Sequence, residues 1–396
     1  MYEIMHEIKI NFSKIELLIY MYLIKSIDKI LSLIKTKNRQ FECRRVLVIS
    51  YLGGIGDFMM RTPVFANLKK NYPEIEIYTI ITPTQKEIVE TNKQINDYFI
   101  FDSKKFITSV VDLMNWINDK RIDGMIYLDP TPKMQFLLTL YKIDSKKFGY
   151  LYDYKHIEGT NIVTKKEEKI TIKEKENVTL RNLEVIKNLG CKIIEKEYIL
   201  NLTKKDRERA NKIVQKIKKK NKKIIIINPN VQWLIKAWPQ KNYVKLIMQL
   251  LKEINCQIIL IGGKNDRRRC KEIKNEINGI LDLSGKLTLR EFAALLDQSD
   301  LFITADTGPM HIGYATKVKM ISLFGPTSPT SFGPATTVSR LVKERGKYTI
   351  YKQVSCNPCI VQESFYPNFE KKCKKNVCMN AITTEEVLRL AKRILK

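Results

Sequence analysis

The sequence predicts an α/β protein built from two Rossmann-like domains whose parallel sheets face a central cleft. Three observations carry that prediction. Continuous apolar strands alternate with helical stretches from residue 45 onward; a lysine-rich stretch breaks the alternation, which then restarts; and each half opens with a strand running into a turn suited to a ligand. At 396 residues the chain is long enough for two separate cores, and 44% hydrophobic residues with 9% aromatics is a globular composition.

The first 40 residues form an extension of their own. The apolar run between Glu16 and Lys25 is about eight residues, well short of the roughly 20 that span a bilayer. Beyond it Lys25, Asp28, Lys29, Ser32 and Lys35 recur at helical spacing, with Ile27, Ile30, Leu31 and Ile34 on the opposite face. That pattern predicts an amphipathic helix. It either lies in the membrane interface, with Lys35, Lys37 and Arg39 reaching head groups, or packs on its own protein or a partner. No apolar core followed by a small-residue cleavage site marks a secretory signal, so a reducing cytoplasm is expected.

The first domain is placed at residues 41–215. Arg45–Ser50 reads as a buried strand, followed by a Gly-rich turn and a helix from about Asp57 to Asn71; strands follow at Ile75–Ile81, Tyr98–Phe101 and Ile122–Leu128. Lys204–Lys223 reads as a helix plus linker. The second domain, 216–396, restarts with strands at Lys223–Asn228, Gln257–Ile261, Leu301–Thr304 and Lys319–Phe324, with helices at about 241–254, 265–278, 288–299 and 309–316. Thr383–Leu395 closes the chain as a capped amphipathic helix.

Three turns carry chemistry. In the first, Gly53, Gly54 and Gly56 let backbone amides approach a ligand, and Asp57 stands at the mouth of the cleft, able both to cap the helix and to act as a base. Met59 occupies the place of a third dinucleotide-binding glycine, and the next strand ends on Thr82 and Pro83 without an acidic residue, so NAD is disfavoured. In the second, Asn228-Pro229-Asn230 ends a strand and Lys236-Ala237-Trp238-Pro239 leads into a helix. A lysine there is either a surface residue or a point charge for phosphate. The third, Thr304-Ala305-Asp306-Thr307-Gly308-Pro309-Met310-His311, points the amides of Thr307 and Gly308 at any anion in the cleft. His311 is either a general base or, more economically, a histidine packed beneath that loop. No two aspartates lie two apart, so a D-x-D metal–diphosphate motif is missing.

The net charge of +28 points to anionic partners: nucleic acid, an acidic membrane surface or phosphorylated substrates. Lysines spread over solvated faces give the same excess. Nucleic acid is disfavoured because no recognition module or aromatic–basic interleaving is present. Of the eight cysteines only Cys356, Cys359, Cys373 and Cys378 cluster, at spacings that suit either plain structural thiols or a tetrahedral zinc.

Taken together, Gly56-Asp57 and Pro63 after the first strand, Lys236-x-Trp238-Pro239, Ile261-Gly262-Gly263, Leu283-Ser284-Gly285-Lys286, Leu289-Arg290-Glu291, Asp306 to His311, Leu323 to Thr327 and the tail from Cys356-x-Pro358-Cys359 through Cys378-Met379 to Val387 resemble glycosyltransferase family 9, the heptosyltransferases. The resemblance runs from about residue 45 to the C-terminus; the extension before residue 41 lies outside it. It implies a GT-B fold and an inverting mechanism without cofactor or divalent metal. It also implies an ADP-heptose donor and a lipid-linked acceptor, the inner core of lipopolysaccharide, met at the inner face of the cytoplasmic membrane. By position it implies Asp57 as general base, Lys236 on donor phosphate, and Thr307 and Gly308 receiving the diphosphate through their amides. Asp306 would orient the donor sugar or the lysine, and Asp266 would meet the ribose, although the basic run Arg267–Arg269 departs from the family's more acidic pattern. Arg61, one turn after Asp57, either meets an acidic group of the acceptor or is a plain surface arginine.

Overall fold

The computed structural model describes residues 43–50, 53–128, 146–149, 177–217, 221–333, 346–360, 373 and 375–396. The amphipathic extension at 1–40 therefore lies outside the described residues. Two parallel sheets organise the chain. The first takes β1 (Arg45–Ile49), β2 (Glu76–Ile81), β3 (Asp97–Ile100), β4 (Gly124–Tyr127) and β5 (Lys146–Gly149) in the order β3-β2-β1-β4-β5. The second takes β6 (Lys223–Asn228), β7 (Cys256–Leu260), β8 (Leu281–Asp282), β9 (Leu301–Ala305), β10 (Met320–Phe324) and β11 (Lys347–Tyr351) in the order β11-β10-β9-β6-β7-β8.

Every strand pairing in both sheets is parallel. Each sheet is doubly wound: its first strand lies centrally, the next two extend one way and the later ones the other. In such sheets ligands bind beyond the carboxyl ends of the strands, where the winding reverses. That rule singles out the turn after β1 in the first lobe and the turns after β6 and β9 in the second.

Why these residues form these strands follows from burial. RVLVI and KIIIIN are apolar without alternation, and all but their first residues are buried, as strands covered on both faces require. Helices do the covering: α1 (Ile55–Asn71), α2 (Lys86–Val89), α3 (Phe106–Asp119), α4 (Val178–Asn188) and α5 (Lys204–Ile217), then α6 (Gln240–Glu253), α7 (Arg267–Glu276), α8 (Leu289–Leu296), α9 (Gly308–Tyr314), α10 (Pro329–Phe332), α11 (Val377–Asn380) and α12 (Thr384–Leu395). Within α1, Pro63 has no N–H for the Met59 carbonyl, and the Thr62 hydroxyl donates to that carbonyl instead at 2.7 Å.

One apolar cluster runs from Val46, Val48, Phe58 and Phe65 through Leu183, Ile186, Ala210 and Ile213 to Phe302 and Met310, so the lobes share a packed boundary. Polar contacts reinforce it. Arg290 on α8 donates to Asp206 Oδ2 on α5 at 3.1 Å, to the Glu87 carbonyl on α2 at 2.6 Å and to Glu90 Oε1 at 2.5 Å. The Leu289 N–H donates to Glu87 Oε2 at 2.6 Å. The Arg290-containing segment noted in the sequence thus ties the second lobe to the first.

Candidate active site

The site assembles from three strand-end turns. After β1, Gly53 takes a left-handed φ of +96°, and a Cβ there would fall 2.2 Å from Asp57 Oδ2. The glycine is needed because the Asp57 carboxylate folds back over the turn and accepts the Gly54 N–H at 2.7 Å, capping α1. Gln85, fully buried, donates its amide to the Gly53 and Gly54 carbonyls at 3.2 and 3.3 Å and steadies the turn from the side. Arg61 lies beneath: it is buried, and its Nη1 donates to the Ser50 carbonyl at 2.9 Å. The picture of a plain surface arginine is therefore wrong.

After β6, a short 3-10 turn brings Lys236 inward. Lys236 is buried too, correcting the reading of it as a surface lysine, and its Nζ pairs with Asp306 Oδ2 at 2.9 Å. The same carboxylate oxygen accepts the Thr327 hydroxyl at 2.6 Å. Burial works against the charge on Asp306, but the Lys236 ammonium and the Thr327 hydroxyl outweigh it and hold the carboxyl below its usual range. Asn228 and Asn230 brace this floor: Asn228 Nδ2 donates to Thr304 Oγ1 at 3.2 Å and Thr307 Oγ1 at 3.4 Å, and Asn230 Nδ2 donates to the Ile261 carbonyl at 3.0 Å.

After β9, Thr307 is extended and opens α9, with Pro309 in the first turn. At the far end of that helix Lys347 Nζ donates to the carbonyls of Gly313, Thr316 and Val318 at 2.7–2.8 Å; burial pushes its pKa down to about 8. His311 faces the other lobe. A Cβ on Gly56 would fall 2.6 Å from His311 Cδ2, and one on Gly308 would fall 3.3 Å from Ile55 Cβ. The turn carrying Asp57 and the turn carrying Asp306 therefore meet directly across the lobe boundary. Burial pushes the His311 pKa down to about 4, so the imidazole is neutral near pH 7 and packs beneath the loop, near Tyr198 and Tyr314.

The remaining candidates come from other segments. Asp266 lies in the turn after β7 and accepts the Gly263 N–H at 2.7 Å, repeating in the second lobe the Gly-x-x-Asp cap of the first. Cys378 is buried, with its Sγ against Gly325, while Cys356 is exposed and Cys359 and Cys373 are half-buried. Among the described residues no three His, Cys, Asp or Glu side chains stand together as a metal-holding set. Trp238 is anchored to the tail, its Nε1 donating to the Ile382 carbonyl at 2.9 Å.

Sequence reasoning missed Thr327 and Gln85 as supports of the site. Thr327 ends the stretch Leu323 to Thr327 already noted in the resemblance; Gln85 had no local signal.

Two doubly wound lobes with facing strand-end turns make a GT-B-like fold. A model of glycosyltransferase family 9 (heptosyltransferase) matches residues 118–367, and the chain belongs to that family. It is a heptosyltransferase-type enzyme that moves a sugar from a nucleotide-sugar donor to a glycan acceptor. Lipopolysaccharide heptosyltransferase 3 of Escherichia coli is 25% identical over 288 residues, 70% of this chain and 83% of that protein. Lipooligosaccharide heptosyltransferase 2 of Campylobacter jejuni is 29% identical over 188 residues, 46% of this chain and 53% of that protein. The structure of a family 9 glycosyltransferase from Veillonella parvula superposes with a TM-score of 0.70 at 18% identity, covering 90% of this chain and 97% of that one. That of the E. coli ADP-heptose lipopolysaccharide heptosyltransferase II gives 0.65 at 18% identity, covering 89% and 98%.

Proposed function

We propose that this enzyme transfers heptose from ADP-heptose, with inversion and without a divalent metal, onto the inner core of a lipopolysaccharide at the inner face of the cytoplasmic membrane. The observation that carries the reading is the meeting of the Asp57 turn with the Asp306 turn, Gly56 against His311. Inversion needs the acceptor hydroxyl and the departing diphosphate on opposite faces of the anomeric carbon, and two turns from opposed lobes supply those two faces.

Asp57 takes the proton from the acceptor hydroxyl as the new bond forms, since a sugar hydroxyl is a poor nucleophile near pH 7. Lys236 and the amides of Thr307 and Gly308 meet the charge that develops on ADP, which leaves a metal no necessary part. Asp306 holds Lys236 in place. Asp266 receives the ribose, and Arg61 acts on the acceptor side through the turn it supports. The lobes follow the division 41–215 and 216–396, with residues 1–40 as a membrane-facing extension. E. coli and C. jejuni relatives named for lipopolysaccharide and lipooligosaccharide support the acceptor class.

The test is ADP release by the purified protein with ADP-heptose and a panel of lipid-core acceptors, beside UDP- and GDP-sugars. Acceptor-dependent ADP release is expected. Turnover with another donor alone would retain the mechanism and replace the substrate.

A further inference from the structure

Two tryptophans flank Lys236, and the fold treats them differently. Trp238 is fully buried, edge-on to Tyr243 at 4.8 Å between ring centroids, with its indole N–H bonded to a carbonyl. Trp233 is only half-buried. Its backbone is held in a turn: the Lys236 N–H donates to the Trp233 carbonyl at 2.9 Å, and the Ala237 N–H to that of Leu234 at 2.9 Å, closing a 3-10 turn. Leu234 beside it leaves 73% of its surface exposed.

This turn surrounds the lysine in a particular way. Lys236 Nζ stands 5.1 Å from the Trp233 ring centroid and 6.0 Å from that of Phe332, with Asp306 Oδ2 on a third side. Phe332 is buried and Trp233 is open. A part-exposed indole beyond the carboxyl end of a central strand, with the Lys236 ammonium already over its ring, offers an apolar surface beside the lysine.

We propose that the Trp233 indole is the wall against which the donor's sugar ring lies, and that it makes the site selective for nucleotide sugars over bare nucleotide. The inference rests on the reading of Lys236 as the diphosphate ligand. A diphosphate held there carries its sugar on the terminal phosphate, one C–O bond from the phosphate the lysine contacts and within reach of the neighbouring ring. The C–H face of a sugar ring is apolar and its rim is polar, so an aromatic wall takes the face and leaves the hydroxyls to polar groups. An indole has only two side-chain torsions to order, so the contact costs little side-chain entropy. After transfer, ADP has no sugar to place on the indole, so the contact that helped the donor in does not hold the product back.

The test compares ADP and ADP-heptose binding by calorimetry in the full-length wild type, Trp233→Ala and Trp233→Phe. Loss of the apolar area that a sugar face buries on the ring should make Trp233→Ala bind ADP-heptose roughly tenfold more weakly. Its ADP affinity should stay within about twofold of the wild type, because the Asp306 pair still holds Lys236. Trp233→Phe should fall between. Equal weakening of both ligands would overturn the proposal, reducing the ring to a support for the lysine; so would no change in either. Failure of the wild type itself to bind ADP and ADP-heptose would instead remove the donor reading and this inference with it.

Discussion

Asp57 carries two tasks on one carboxylate. Its Oδ2 caps α1 by accepting the Gly54 N–H, which fixes the direction of the side chain. A base needs a fixed direction toward the hydroxyl it deprotonates, so the cap is compatible with the proposed chemistry. Asp57→Ala should lower turnover by about 100-fold or more while donor binding, followed by calorimetry with ADP-heptose, stays near wild type. Turnover close to normal would take Asp57 out of the mechanism. Lys236 is a different case because it is structural and functional together. Removing it leaves the Asp306 carboxylate buried with the Thr327 hydroxyl and without its cation. Breaking a buried pair from one side costs about 3–5 kcal/mol. Lys236→Ala should therefore lower the unfolding midpoint in urea and raise the donor KM. A stable variant with unchanged donor kinetics would contradict both roles. The sequence alone pointed to Asp57, Lys236 and Asp306 because each follows a strand end that local pattern identifies. It could not point to Thr327 or Gln85, whose partners lie 21 and 31–32 residues away.

At the level of elements, the same distinction governs which parts of the fold were legible. Central strands such as RVLVI and KIIIIN announce themselves because burial on both faces demands an unbroken apolar run. The edge strands β8 and β11 do not: β8 has two residues, and β11 reads KYTIY, with polar positions a single sequence leaves ambiguous. Helix α4 also escaped notice, although Asn177 caps it by accepting the N–H groups of Thr179 and Leu180. The Arg290 clamp was visible only as a motif. Its partners Glu87, Glu90 and Asp206 come from two other helices, and only folding shows that the motif holds the lobes together. The side chains of Arg290 and Asp206 are 14% and 6% exposed, so the cluster is largely shielded from solvent. Arg290→Met should cost about 2–3 kcal/mol, below the full cost of a buried pair because Glu90 remains partly solvated. It should also widen the spread of lobe separations in small-angle scattering. Identical scattering and stability would mean that the apolar boundary alone sets the arrangement.

For the whole molecule, the charge and the extension need separate treatment. The first 40 residues hold seven basic and four acidic side chains, so most of the net +28 lies in the rest of the chain. No described helix is long and apolar enough to cross a membrane. Attraction to an anionic surface therefore belongs largely to the lobes, while the amphipathic extension would add apolar insertion. The two contributions respond differently to salt. Charge attraction between exposed groups is screened over about 8 Å at physiological ionic strength and over about 3 Å at 1 M, whereas apolar burial is not weakened by screening. The full-length chain should sediment with vesicles containing phosphatidylglycerol and far less with phosphatidylcholine alone. Salt at 1 M should release a version lacking residues 1–40 completely and leave a residue of the full-length chain bound. If both versions bind equally and are released together, the extension packs on protein instead of lipid. If neither binds, the positive charge is spread too evenly to act on a membrane, and the acceptor must be reached without it.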